Sequence, residues 1–181
     1  MNEVMIEKWN KKVHARDEVV ILGDLSLGNG KETNEILCRL KGRLYLIRGN
    51  HDERYLRDKD FAVSRFEWVR DYAEIHDNKR KIVLMHYPVF CYNGQFRRGA
   101  DGTPLTYMLH GHIHKSEDQV LVDRFSTETR AMMRKSAHQE TAQPVPCQMI
   151  NCFCMYSDYT PLTLEEWVEC DQRRRNKADC G

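Results

Sequence analysis

Four short polar segments carry Asp, Asn and His residues, and each follows an apolar run. In chain order they are Gly23-Asp24, Gly49-Asn50-His51-Asp52, His86 and Gly111-His112-Ile113-His114. Aspartate and asparagine oxygens and neutral imidazole nitrogens are ligands for divalent transition metals. One aspartate can bridge two ions, and two ions ~3.5–4 Å apart can hold the attacking and leaving oxygens of a phosphoryl transfer. These residue types therefore predict metal-dependent phosphate-ester chemistry.

Each segment also has an ordinary structural interpretation when it is taken alone. Gly-Asp is a common turn, Gly-Asn-His-Asp suits an Asx turn, and a single His86 suits a hydrogen-bonded core position. The last segment could be a strand end with two surface imidazoles. The ordered recurrence of all four segments at predicted strand ends favours the metal site.

The elements that must position these residues are short buried strands. The apolar runs occupy residues 19–22, 44–47, 82–85 and 105–109. In open α/β sheets, ligands bind at the carboxyl ends of the strands, which is where these polar segments fall. Glycine precedes the polar group in three of the four segments and lets the backbone turn sharply there.

Helical spacing and strand patterns fill much of the remaining chain. Helices are predicted over residues 2–13, 32–40 and 117–137, with a final helix opening at residues 163–166. Further strands are predicted over residues 69–75 and 148–155, the first of them paired with residues 81–85. Strands that alternate with helices and later occur in pairs predict a mixed α/β fold.

Composition limits the classes of function. The chain has 181 residues, with 28 Lys and Arg against 27 Asp and Glu, so its net charge is +1. This balance argues against a dedicated nucleic-acid or membrane-surface binder. No apolar run is long enough to span a membrane, and seven scattered cysteines suit free thiols in the cytoplasm. We expect one domain over residues 1–170 and a basic tail over residues 171–181.

The same motifs resemble the calcineurin-like metallophosphoesterases, small bacterial and phage members in particular. The resemblance runs from about residue 2 to about residue 167 and includes Ile150-Asn151 and Tyr159-Thr160-Pro161-Leu162. It implies a four-layer α/β/β/α sandwich with mixed sheets. It also implies two divalent transition-metal ions (Mn, Fe, Ni, Co or Zn) and hydrolysis of a phosphate ester by a metal-bridging hydroxide.

The resemblance implies a role for each motif residue. Asp24 is the bridging carboxylate, Asn50, His86 and His112 complete one metal site, and His114 belongs to the other site. His51 would stabilise the transition state and protonate the leaving oxygen, with Asp52 orienting or charging it. We expect a phosphodiester or an exposed phosphate rather than a deeply enclosed metabolite as substrate, because a chain of this size leaves no room for a cap domain.

One departure from the family pattern concerns the N-terminal side. The family opens with an Asp-x-His motif on a first strand, and no segment upstream of Asp24 matches it. We therefore expect the first strand to be missing and the chain to bind one ion tightly. The alternative to an active phosphodiesterase is a shortened or degenerate member that binds metal or phosphate without efficient catalysis.

Two further features are weaker candidates for function. Arg97 and Arg98 lie in the glycine-rich segment 92–102, where they could contact phosphate, although surface arginines are the commoner interpretation. Arg173, Arg174, Arg175 and Lys177 form a basic run, which the sequence predicts as a solvated terminus rather than a nucleic-acid site.

Overall fold

The computed structural model describes residues 2–135 and 141–178, which form a mixed α/β fold with parallel and antiparallel strand pairs. The helices of these residues are α1 (Asn2–Lys12), α2 (Gly30–Leu37), α3 (Glu53–Leu56), α4 (Glu117–Ala131) and α5 (Leu164–Ala178). The strands are β1 (Glu18–Ile21), β2 (Arg43–Ile47), β3 (Phe66–Arg70), β4 (Tyr72–Asp77), β5 (Arg80–Met85), β6 (Thr106–His110), β7 (Met133–Arg134), β8 (Gln143–Pro144) and β9 (Met149–Asn151). Short 3-10 helices occupy Val63–Arg65 and Cys154–Ser157.

The chain divides into two units, which are Met1–Asp71 with Cys152–Gly181 and Tyr72–Asn151. The first unit contains the parallel sheet β1-β2-β3. Leu44 and Leu46 alternate along β2 and are fully buried. They belong to a cluster that also includes Ile6 of α1, Leu37 of α2 and Phe66 of β3. Burial of these apolar side chains supplies the main driving force for assembling the unit.

The second unit contains the sheet β4-β5-β6-β9, in which β4 pairs antiparallel with β5 and the other pairs are parallel. Val83, Met108 and Met149 are buried in its core with Val122 of α4. β7 and β8 form a separate two-stranded pair. Each unit thus carries one main sheet, and the four-layer stacking stays a prediction from the family fold.

Capping residues explain where two helices begin. Asn29 caps α2 in a reciprocal box with Glu32, so this helix begins two residues earlier than the predicted residue 32. At α5, the Thr163 backbone N–H donates to Glu166 Oε2 at 2.7 Å. The Glu166 backbone N–H donates to Thr163 Oγ1 at 3.3 Å, which confirms the predicted capping box.

Two predicted strands are wrong in extent. The predicted strand at residues 69–75 is split, because β3 pairs with β2 in one sheet and β4 pairs with β5 in the other. Asp71 lies at the junction, where its carboxylate accepts hydrogen bonds from Arg48 at 2.7 and 2.9 Å. The late strand is only Met149–Asn151, and the chain then enters a 3-10 turn instead of continuing to residue 155.

The predicted basic tail is largely helical. The boundary at residue 170 falls inside α5, and residues 179–181 lie outside the described residues, as do residues 136–137 of the predicted third helix. Asp171 is buried and accepts hydrogen bonds at 2.7 Å from Arg174 and from Arg175. Two basic residues of the tail therefore pair within the helix instead of extending into solvent. No helix within the described ranges is both long and apolar enough to cross a membrane.

Candidate functional site

In the first unit, Asp24 lies in a sharp turn directly after β1. Gly23 and Asp24 both have positive φ angles, of 88° and 55°. A left-handed conformation costs a non-glycine residue roughly 1–2 kcal/mol, so it persists only where surrounding contacts hold it. The Asp24 Oδ1 atom accepts a hydrogen bond from the His51 backbone N–H at 2.9 Å. This bond joins the loop after β1 to the loop after β2.

Gly49 permits the close approach of these two loops. A Cβ atom placed on Gly49 would lie 2.3 Å from Asp24 Oδ1 and 2.6 Å from the Asp24 backbone nitrogen. Both distances are far inside van der Waals contact, so no other residue fits without displacing the Asp24 loop. The glycine of the Gly-Asn-His-Asp segment therefore makes room for the neighbouring carboxylate.

Asp52 holds the same two loops together from below the surface. Its side chain is fully buried and accepts hydrogen bonds from the backbone N–H groups of Asp24 at 2.9 Å, Leu25 at 2.9 Å and Gly49 at 2.7 Å. The Tyr55 hydroxyl donates a fourth bond at 2.8 Å. Burial, and then the adjacent Asp52 charge, raises the pKa of Tyr55, so this hydroxyl stays protonated as a donor. These described contacts give Asp52 a role in positioning the two loops. The sequence analysis expected it to orient or charge the His51 ring instead.

Asn50 and His51 are exposed and lie on the wall of an open cavity of about 630 Å³. Leu27, Glu53, Arg54 and Arg57 complete the lining. The first unit thus presents one candidate metal carboxylate, one candidate amide ligand and one imidazole on two joined loops. Sequence reasoning missed the two arginines, whose only signal was their position in the short helix α3 and at its end, shortly after the Gly-Asn-His-Asp segment.

In the second unit, His86 and His112 lie side by side at the ends of β5 and β6. His86 is 1% exposed, and its backbone oxygen accepts a hydrogen bond from the Gly111 N–H at 3.0 Å. Its ring centroid lies 5.1 Å from that of His112, and a ring nitrogen of each lies within 4.8 Å of the other. The Tyr87 ring contacts both imidazoles, at 5.0 and 4.5 Å between centroids.

The segment with His112 and His114 is held in an unusual backbone conformation. Both histidines have positive φ angles, of 64° and 48°. The buried Asn151 side chain donates to the His114 backbone oxygen at 2.7 Å and to Gln119 Oε1 at 2.6 Å. Asn151 and Gln119 are positioning residues that the sequence did not assign. A polar Asn within an otherwise apolar strand-like segment was the only available signal for the first of them.

Arg97 and Arg98 lie in a different groove of the second unit, together with Phe96, Arg134 and Gln143. Arg98 donates to Gln143 Oε1 at 3.3 Å and to the Gly102 backbone oxygen at 3.4 Å. The described lining of this groove includes none of the five candidate metal ligands. A substrate role for these two arginines stays a prediction.

The donor atoms suit a transition metal. An ion that binds imidazole nitrogens at ~2.0–2.1 Å holds two of them no more than about 4 Å apart. The His86 and His112 nitrogens lie within 4.8 Å of each other, which is close to that spacing. Left-handed backbone at Asp24, His112 and His114 is the kind of local strain that clusters at functional sites.

Comparison with known proteins identifies relatives of this chain. The calcineurin-like phosphoesterase superfamily domain matches residues 2–127. An uncharacterised protein of Methanocaldococcus jannaschii is 33% identical over 116 residues, which are 63% of this chain and 53% of that protein. The gene 66 protein of Mycobacterium phage D29 is 32% identical over 133 residues, 61% of this chain and 64% of that protein. The chain therefore spans less than two thirds of either relative.

A solved structure shares the fold. The crystal structure of a protein of unknown function from Aquifex aeolicus superimposes on 93% of this chain and 83% of its own, with a TM-score of 0.58 and 20% identity. At this identity the likeness concerns the fold alone.

Proposed function

Because the chain belongs to the calcineurin-like phosphoesterase superfamily, we propose that it is a metal-dependent phosphoesterase that hydrolyses phosphodiesters. The observation that carries the proposal is the pair of loops in the first unit that hydrogen bonds hold together. Asp24 and the Asn50-His51 segment are fixed to each other through Asp52, and Gly49 gives them the room to approach. Such fixed geometry is what a site that must place ligands and a proton donor requires.

Asp24, Asn50, His86 and His112 form the main ligand set of the proposal, and Asp24 with His114 forms a second set. When bound, divalent ions supply Lewis-acid activation of the ester and of water. Asp24 contributes carboxylate oxygens, and its Oδ1 atom is already oriented by the His51 backbone N–H. His86, at 1% exposure, presents its imidazole with little freedom to rotate.

His51 would donate a proton to the leaving oxygen. Its backbone is tied to Asp24, while its side chain is exposed on the cavity wall, where a substrate can reach it. Imidazole is the side chain most often used for proton transfer near neutral pH. Its place beside Asn50 in the sequence puts a proton donor next to a candidate ligand.

A second candidate function is metal or phosphate binding without efficient turnover. The ligand sets favour it, because one has four members and the other has only Asp24 and His114. An ion held by two protein ligands is held weakly, since closed sites commonly need about four. This function predicts tight binding of one ion and negligible hydrolysis.

The test compares turnover and metal content in matched variants with manganese and bis(4-nitrophenyl) phosphate as substrate. We expect His86→Ala to lose metal and activity together. We expect His51→Ala to lower kcat by roughly 10²–10⁴-fold while metal content barely changes. His14→Ala, at a side chain that is 82% exposed, is the control and should change neither. Turnover absent from the manganese-loaded wild type would favour the second candidate, and metal loss in His51→Ala would contradict its role.

A further inference from the structure

The cavity of the first unit has a basic wall that the metal chemistry does not use. Asn50 and His51 lie on its lining together with Arg54 and Arg57. The lining carries two guanidinium groups and one carboxylate, that of Glu53. Its fixed charges therefore sum to +1 beside the proposed proton donor.

Arg54 is anchored in a way that leaves donors available. Its Nη1 group donates to the backbone oxygen of Leu27, another lining residue, at 3.0 Å. A guanidinium has five N–H donors, so most of them stay open to a ligand in the cavity. An arginine that is already held by such a bond loses less conformational freedom when it binds an anion, and this favours binding.

Arg57 has a partner that it can exchange. It pairs with Glu53 one helical turn earlier, and both side chains are largely exposed, at 79% and 51%. Exposed pairs of this kind contribute little to stability, so an incoming phosphate can compete with Glu53 for the guanidinium. Arginine binds phosphate through two parallel N–H···O hydrogen bonds. The ion pair with a carboxylate on a neighbouring turn leaves N–H donors of the guanidinium available for such bonds.

We propose that the Arg54–Arg57 wall binds a second phosphate carried by the leaving group of the substrate. This inference rests on the proposed function, because it uses His51 to place the leaving group on this side of the scissile phosphorus. The substrate class is therefore a phosphoester whose departing part is itself phosphorylated. Such a group occurs in an oligonucleotide chain or in a phosphoanhydride.

The test uses probes that differ in one phosphate. Dithymidine monophosphate (TpT) has a single phosphorus, pTpT and TpTp carry an extra terminal phosphate, and dithymidine diphosphate (TppT) contains an anhydride. We expect at least one probe with a second phosphate to have a kcat/KM about tenfold above that of TpT, as charge-assisted contacts imply. That probe is either the better of pTpT and TpTp or it is TppT. A preference for pTpT or TpTp identifies an oligonucleotide source, and a preference for TppT identifies an anhydride.

Variants of the two arginines test whether they cause the preference for the probe with a second phosphate. Arg54→Gln with Arg57→Gln should reduce the ratio to about one. Arg124→Gln removes a comparable exposed arginine, paired with Glu128 on the following turn of α4, and should leave the ratio as in the wild type. Should the double variant fail to fold, Arg57→Gln alone suffices, since that side chain is 79% exposed, and we expect it to lower the ratio about threefold.

The two proposals fail in different ways. A wild type that hydrolyses all four probes equally, or a preference that survives the double variant, overturns the second-phosphate site and leaves the phosphoesterase intact. If the wild type hydrolyses none of them, calorimetric titration of metal-free protein decides. Binding of the phosphate-rich probes about tenfold tighter than TpT, lost in the double variant, supports the site, and equal binding overturns it.

Discussion

The two units position their candidate ligands by different means. In the first unit, a fully buried carboxylate collects four hydrogen bonds and joins two loops. In the second unit, His112 and His114 lie in left-handed backbone that is held by the His86 backbone oxygen and by Asn151. The first arrangement depends on the hydrogen bonds of one buried side chain, whereas the second depends on the contacts that hold a strained loop. Substitutions should therefore affect the two units very differently.

The largest effect is expected from Asp52→Asn in the first unit. The amide replaces one acceptor oxygen with a donor, so at least one buried N–H or hydroxyl loses its partner. Stranding buried polar groups costs ~1–3 kcal/mol each, and we expect the free energy of unfolding to fall by about 2–4 kcal/mol. Urea unfolding of metal-free protein measures this loss, and manganese affinity should fall with it.

The control for this change is Asp60→Asn, at an exposed residue whose described hydrogen bonds use its backbone. It should alter stability by less than about 0.5 kcal/mol. A stable, metal-binding Asp52→Asn protein would show that the first unit does not depend on the buried carboxylate.

Gly49→Ala should have the next largest effect. The added methyl lies where Asp24 Oδ1 now is, so the Asp24 loop must shift. Overpacking of this kind costs ~1–3 kcal/mol. Because the displaced atom belongs to a candidate ligand, metal affinity should fall more than stability does. Elemental analysis after dialysis measures the metal content, and thermal unfolding measures the stability. A variant that kept its full metal content would contradict the expectation.

In the second unit, His114→Gly should raise stability while weakening metal binding. Glycine adopts the observed φ of 48° without the steric cost of roughly 1–2 kcal/mol that histidine has there, and its greater unfolded-state freedom leaves a net gain of up to ~1 kcal/mol. His114→Ala is the matched control, since it removes the imidazole and keeps the steric cost. Thermal unfolding of the metal-free proteins separates them, and equal melting temperatures would argue against stored strain.

The smallest effect concerns Glu74, a partly exposed counterpart of Asp52 in the second unit. Its carboxylate accepts hydrogen bonds from Lys81 at 2.6 Å, Tyr72 at 2.6 Å and Asn93 at 3.0 Å. These partners, Lys81 first, lower the pKa of Glu74 from 4.5 to about 2. A lowered pKa stabilises the fold at pH above the unfolded value, and the contribution is lost as pH falls from about 4.5 to about 2.

Glu74→Gln should therefore lower the free energy of unfolding by under about 1 kcal/mol near neutral pH, because the site is partly exposed. The gap between wild type and variant should close as the pH falls through that window. Chemical unfolding at a series of pH values measures it, and a gap that stays constant down to pH 2 would contradict the assigned cause.

The local patterns of the sequence predicted most elements that carry the site. The apolar runs before Asp24, Asn50 and His86 are strands or strand ends, because short β-rich runs bounded by glycine have few other stable conformations. The strand predicted at residues 69–75 was wrong because its two halves pair in different sheets, and pairing partners are not encoded locally. Asn29 was missed as a helix cap because the predicted start followed the apolar periodicity.

The sequence by itself determined which residue types follow which strands, and hence the family and the candidate chemistry. The tertiary structure decided what those residues contact. Asp52 is next to His51 in the chain, yet it bonds to Asp24, Leu25, Gly49 and Tyr55, because a buried carboxylate must be satisfied by whichever donors the fold brings within reach. The left-handed backbone at Asp24, His112 and His114 likewise could not be predicted from the sequence, since it depends on contacts made by residues distant in the chain.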